Sequence, residues 1–197
     1  MKRPRLKPSK SFNIIFKEGL PGQPFFIFTY MELRTPPKKL SQGELRHFFI
    51  SHLHRIYCAK SQLIEKLPEI GKRSHYVDLQ QAINETVEIV QHQIARMKEI
   101  YMKIDAFYQP ESCIGLVGML DEAFQSIGDP QDSAALRDLS ILFYMQNIES
   151  IEMASFKTMI YVAGKLEQPD IAQLLLECYD EAREDKALLK EITANYL

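Results

Sequence analysis

The chain has 197 residues, of which 46% are apolar and 25% charged, with a formal net charge of −2; that length makes one domain with a sizeable core and at most an appendage. No window holds the roughly 18 to 20 uninterrupted apolar residues of a membrane span. The basic N-terminus leads into short apolar runs broken by Lys17, Glu18 and a Pro-Gly turn, not into the roughly 7 to 15-residue apolar stretch of a secretory signal, so a cytoplasmic protein is expected.

Residues 1–40 form a first region unlike the rest. They carry nine Lys/Arg against two acids, an excess of seven positive charges, which leaves an excess of nine negative charges on residues 41–197. The runs Phe12 to Phe16 and Phe25 to Tyr30 flank Gly19-Leu20-Pro21-Gly22-Gln23-Pro24, and two β-prone runs around a Pro/Gly turn predict a hairpin or a pair of extended segments. The arm is too aromatic for a purely solvated tail, so its own bundle or a partner subunit is expected to cover it.

From Ser41 onward the apolar period is helical. A first helix is predicted from Gly43 to Ile70, ending before Gly71, with Leu45, Phe49, Leu53, Ile56, Leu63, Ile64 and Leu67 inward. A second runs from Val77 to Phe107, with Leu79, Ile83, Val87, Val90, Ile94, Met97, Tyr101 and Ile104 inward. A shorter segment spans Cys113 to Ile127 and stops at Gly128-Asp129-Pro130. A long helix follows from Leu139 to Leu166, and a last one from Asp170 to Tyr196. Four long helices and one short one predict an all-α antiparallel bundle. The cysteines Cys58, Cys113 and Cys178 are odd in number, far apart and without a CxxC pair, which suits reduced thiols.

At about 100° per residue, the long helix places Ile141, Tyr144, Met145, Ile148, Ile151, Ser155, Phe156, Met159, Val162, Ala163 and Leu166 on one arc. Glu152 falls in the middle of that arc and Glu149 at its rim. Inward carboxylates on bundle helices are how di-iron and di-manganese sites are built. An unpaired buried charge is very costly, however, and Lys60 on the inward side of the first helix is the natural partner for Glu152. A solvent channel, or bonds to Thr86, Tyr57 or Gln93, are the alternatives.

The span from Glu44 to Thr193 resembles the ferritin-like family typified by YciE and YciF, bacterial stress-associated proteins. The resemblance is carried by Leu53 and Ile56-Tyr57-Cys58-Ala59-Lys60-Ser61-Gln62-Leu63, by Gln93 to Met97, by Cys113 with Leu120-Asp121-Glu122, by Ile148 to Phe156, and by Leu174-Leu175 through Asp180-Glu181. It implies a ferritin-like bundle, and it excludes the N-terminal arm. It also implies that metal ligands are missing: Lys60, Thr86, Ile89 and Ala182 stand at positions where the resemblance would place a Glu, a His, a Glu and a Glu. One carboxylate beside a lysine does not hold two hard cations, which need several oxygen or imidazole ligands.

Other candidates carry less. Asp185 lies close to the inward arc of the last helix and either joins Lys60 or stays at the rim. Glu122 opposes its helix's apolar face and is expected in solvent or as a cap. His52 flanks the inner arc, whereas His47, His54, His75 and His92 are expected outward or near loops. Lys60 as a catalytic amine with a lowered pKa lacks a readable cleft or second acid, and no phosphate loop, nucleophile triad or zinc pattern is present. The expectation is a non-catalytic structural or interaction protein without a cofactor, working as a homodimer or with another protein, related to a stress response as the resemblance implies. Two other classes compete with it: a metalloprotein that oxidises iron or manganese or handles peroxide around Glu152, Asp185, His52 and Glu149, and a nucleic-acid binder tethered by the basic arm. The aromatic runs and the acidic bundle argue against nucleic acid.

Overall fold

The computed structural model describes residues 11–17, 25–31, 39–110, 114–127 and 133–197. Residues 1–40 and 41–197 are two compact units. In the first, β1 (Ser11–Lys17) pairs antiparallel with β2 (Phe25–Met31), in a register that sets Phe12 against Tyr30, Ile14 against Phe28 and Phe16 against Phe26. These strands match the two predicted extended runs.

The second unit is built from α1 (Gln42–Arg73), α2 (Val77–Lys103), α3 (Ile114–Ile127), α4 (Ala134–Lys165) and α5 (Pro169–Ala194). It is a ferritin-like bundle. Its four long helices pack in the pairs α4 with α5, α1 with α2, α2 with α5 and α1 with α4, and α3 lies across α4 and α1.

Local chemistry fixes where each helix begins and ends. Ser41 caps α1 in a capping box: its hydroxyl accepts from the Glu44 amide at 3.3 Å, and Glu44 reaches back to the Ser41 amide at 2.7 Å, satisfying two orphan donors of the first turn. Contrary to the sequence expectation, α1 does not stop before Gly71. It runs through Pro68 and Gly71 to Arg73, because Gly71 is where α1 meets α2. A Cβ there would sit 3.2 Å from Ile83 Cγ2, so the glycine allows close helix contact rather than a stop.

The second helix ends earlier than predicted, at Lys103. Asp105 adopts φ 49, and the Ala106 amide closes back on the Tyr101 carbonyl at 3.0 Å, the left-handed device that ends helices. Arg46 donates to the Ile104 carbonyl at 2.7 Å from α1. Ser133 caps α4 through the Leu136 amide, and Pro169 opens α5, where its missing N–H costs nothing.

The core has two parts. One contains Leu63, Leu67, Leu79, Ile83, Val90, Leu120, Ile141, Met145, Ile148 and Leu189. The other contains Phe49, Leu53, Met97, Ile100, Phe156, Met159, Ile171, Leu175 and Cys178. Along α1, α4 and α5 the residues between these two parts are Lys60, Glu149 with Glu152, and Asp185, and along α2 Gln93 holds the same place; all are buried. The bundle therefore has a polar layer at mid-height between two apolar halves. Arg96 on α2 braces its rim with α5, bonding Glu177 and Glu181 at 2.9 Å each.

Two further expectations are corrected. Ile151 was expected inward but is 41% exposed, because it lies one residue off the buried row Ile148, Glu152, Phe156 and Met159. Cys58, half-buried on α1, is disulfide-bonded, against the expectation of reduced thiols. Cys178 is a free, buried thiol, and Cys113, expected to open the short helix, lies outside the described residues.

Candidate functional site

The polar layer is assembled from helical spacing. Glu149 and Glu152 stand three residues apart on α4 and so share a face. Lys60 reaches them from α1, Thr86 and Gln93 line α2, and Asp185 comes from α5. Lys60 Nζ donates to Glu152 Oε2 in an ion pair whose two side chains are 1% and 4% exposed. The same ammonium lies 5.6 Å from the centre of the Phe156 ring, a cation–π distance. Of the partners weighed for Glu152, the structure selects Lys60.

Three buried carboxyl groups face one ammonium, and that stoichiometry sets the electrostatics. Burial raises the Glu149 carboxyl well above the ordinary carboxylate range, and the Glu152 charge adds to it while Lys60 opposes it. Removing a carboxylate from water disfavours its charged form, and a second carboxylate nearby does the same. Asp185 is pushed up to about 6, again by burial first, against the pull of Thr86 and Lys60. The layer thus holds one ion pair and two further carboxyl groups, Glu149 and Asp185, whose ionisation burial makes harder than in water.

One sequence expectation is revised here, and one left open is narrowed. Glu149 is not at a rim; it is 3% exposed, because packing by α5 widens the buried face of α4. Asp185 is also buried, so it joins the layer of Lys60 rather than the edge. The other candidates lie elsewhere. Glu122 is exposed on α3. His52 is half-buried against Phe48, with ring centres 4.1 Å apart, and it lines a surface hollow of about 670 Å³ between α1 and α4 that also includes Ile56, Ile151 and Met159.

The layer's central carboxylate, Glu152, is engaged by the Lys60 ammonium, and the buried residues of the layer include Thr86 and Gln93 on α2 and Ala182 and Asp185 on α5. Among the described residues, no group of three or more His, Cys, Asp and Glu is arranged to hold a metal ion.

Two buried polar residues, His54 and Asp138, were not legible as functional or structural anchors. His54 was expected outward and is 4% exposed; its Nδ1 lies 2.8 Å from the Tyr101 hydroxyl, so a hydrogen bond rather than solvent satisfies it. Asp138 accepts from the His75 and Tyr76 amides and the Tyr196 hydroxyl at 3.0, 2.7 and 2.9 Å. It thereby caps the start of α2 from α4. Gln93 donates weakly to the Cys178 carbonyl, and its Oε1 has no partner. Cys178 itself has its thiol pushed up to about 12 by burial, which makes it inert packing.

Comparison with known proteins places this architecture. Protein YciF of Escherichia coli (strain K12) is 25% identical over 157 residues, covering 79% of this chain and 94% of the relative. The crystal structure of the same E. coli stress protein matches with a TM-score of 0.74 at 24% identity, over 77% of this chain and 96% of that one. YcfI, a candidate structural protein from Rhodopseudomonas palustris, matches with a TM-score of 0.71 at 25% identity, over 74% and 92% of the two chains. A protein from Xanthomonas campestris shares the fold at 16% identity, with a TM-score of 0.60 over 77% and 92%. Residues 44–196 match the family model described as "Domain of unknown function (DUF892)". The chain belongs to the DUF892 family and is a YciF-type member of it.

Proposed function

We propose that the protein is a non-catalytic structural or interaction protein in which a buried Lys60–Glu152 ion pair stands in place of a di-metal centre. The observation that carries this reading is the ion pair itself, buried between the two halves of the core. A fixed ammonium provides the positive charge that a bound cation would otherwise supply, and it needs no ligand beyond the carboxylate it meets. The description of YcfI as a candidate structural protein and of YciF as a stress protein supports a structural role within a stress response. A cytoplasmic homodimer is the assembly we propose; no described helix is long and apolar enough to cross a membrane.

The test is elemental analysis by mass spectrometry of protein purified without chelators. We expect no stoichiometric iron, manganese or zinc at neutral pH. Tight binding of two metal ions that disappears in Glu152→Ala would overturn the proposal in favour of a metalloprotein built on Glu149, Glu152 and Asp185.

A further inference from the structure

We propose that Tyr101 and His54 form a proton-coupled redox pair, with Tyr108 as its port to solvent. This inference is independent of the polar layer. Tyr101 is 5% exposed and His54 4%, and the phenol hydroxyl lies 2.8 Å from His54 Nδ1. The Gln109 amide also points at that nitrogen, at 3.5 Å. A backbone N–H can only donate, so Nδ1 carries its lone pair, and the Tyr101 hydroxyl is the donor. A buried phenol that already donates to a base can lose an electron and its proton together without charge forming on its oxygen.

The surrounding rings connect this pair to the surface. Tyr57 lies 5.9 Å from Tyr101 and 4.5 Å from Tyr108, and Tyr101 and Tyr108 are 6.3 Å apart, centre to centre. Tyr108 is 36% exposed. All three tyrosines line a hollow of about 400 Å³, which admits a small oxidant or reductant to their ring edges. The chain reversal at Asp105 builds the arrangement: it ends α2 just past Tyr101 and returns Tyr108 and Gln109 over α1. The elements of this site were present for their own structural reasons, but their geometry joins an exposed phenol to a buried one that has a base.

The chemistry balances as follows. A one-electron oxidant, such as a peroxide-derived radical, takes an electron from Tyr108 as its hydroxyl proton passes to water. Tyr101 then returns an electron to Tyr108, which regains its proton from water. The Tyr101 O–H bond breaks, and its proton forms an N–H bond at His54 Nδ1. The products are the reduced oxidant, a neutral Tyr101 radical and a His54 imidazolium. A one-electron reductant such as a thiolate reverses each transfer, and His54 gives the proton back.

The experiment exposes the full chain to the azide radical, a small one-electron oxidant, and follows the nine tyrosines by freeze-quench electron paramagnetic resonance in light and heavy water. We expect one dominant tyrosyl signal that is absent in Tyr101→Phe. His54→Gln keeps an acceptor but not a base, and should slow formation of that signal by about a hundredfold, the low end for a positioned base, and abolish its solvent isotope effect. Tyr108→Phe should slow formation of the signal and lengthen its lifetime; unchanged formation and decay in that variant would overturn the role of Tyr108 as the port. An unchanged signal in Tyr101→Phe overturns the proposal, as does an unchanged rate and isotope effect in folded His54→Gln. If His54→Gln does not fold, the Tyr101→Phe comparison and the wild-type isotope effect decide alone.

Discussion

Lys60 is the residue whose substitution the structure reads most sharply. Its ammonium and the Glu152 carboxylate are both buried, so each makes the other tolerable, and removing one strands a charge. Lys60→Met or Glu152→Leu alone should cost about 3 to 5 kcal/mol, whereas the double substitution should be far milder. Denaturant unfolding of the four variants in a double-mutant cycle measures the coupling; small and additive losses would show that the pair contributes little. Asp185 makes a different prediction. Its carboxyl is raised from the ordinary 3.8 to about 6 in the folded chain, so folding favours its protonated form. That contribution to stability is complete below about pH 4 and is lost as pH rises through about 6. Asp185→Asn removes the titration, so wild type should lose melting temperature relative to the variant between pH 4 and pH 7. Parallel profiles for the two proteins would refute the assignment. The sequence revealed Glu152 and Lys60 because each interrupts an apolar row. It could not show that Glu149 and Asp185 are equally buried, since both lie at the edge of their arcs and their burial depends on how α4 and α5 rotate against each other.

At the scale of elements, period and punctuation located the five described helices; α4 begins at Ala134 rather than the expected Leu139 because Ser133 caps it, and the other misses fall where the surrounding fold overrides a local signal. Gly71 looked like a stop, and in the fold it is a contact point with Ile83. Phe107 looked helical, but the left-handed Asp105 had already ended α2. The start of α2 was readable from its apolar period although Tyr76 offers no side-chain cap. The missing cap is supplied from α4 by Asp138, which receives two amides and a tyrosine hydroxyl. Nothing in the spacing of residues 75 to 80 points to a residue some sixty positions away, so sequence reasoning had no route to it. The consequence is testable. Asp138→Ala removes the cap of α2 and should cost about 0.5 to 2 kcal/mol, with the loss concentrated at one end of the bundle. Hydrogen exchange should show faster opening of the first turn of α2 and of the C-terminal residues near Tyr196, while the amides around Phe156 keep their protection. Uniform loss of protection would mean that Asp138 acts through global stability instead.

The whole molecule joins an acidic helical unit to a basic, aromatic arm. The helical unit carries the match to the family, which begins at residue 44, so the arm is an addition with its own physics. A two-stranded ribbon such as β1 and β2 is marginal in water without something packed on it. The aromatic and aliphatic residues of its sequence, from Phe12 to Tyr30, favour burial at about 25 cal/mol per Å². We therefore expect this arm to gain its order from contact, and to contribute to the stability or the self-association of the protein. Deleting residues 1–40 should leave a folded helical unit with a lower melting temperature or a weaker dimer, measured by calorimetry and by sedimentation over a concentration series. Nucleic-acid affinity should be negligible before and after the deletion, because the excess of negative charge on residues 41–197 repels phosphate. The opposite pattern has a distinct meaning. If the truncated protein keeps its stability and association but loses a salt-sensitive affinity for DNA, then the seven excess positive charges of the arm act as a phosphate tether, and the interaction reading of the arm gives way to that one.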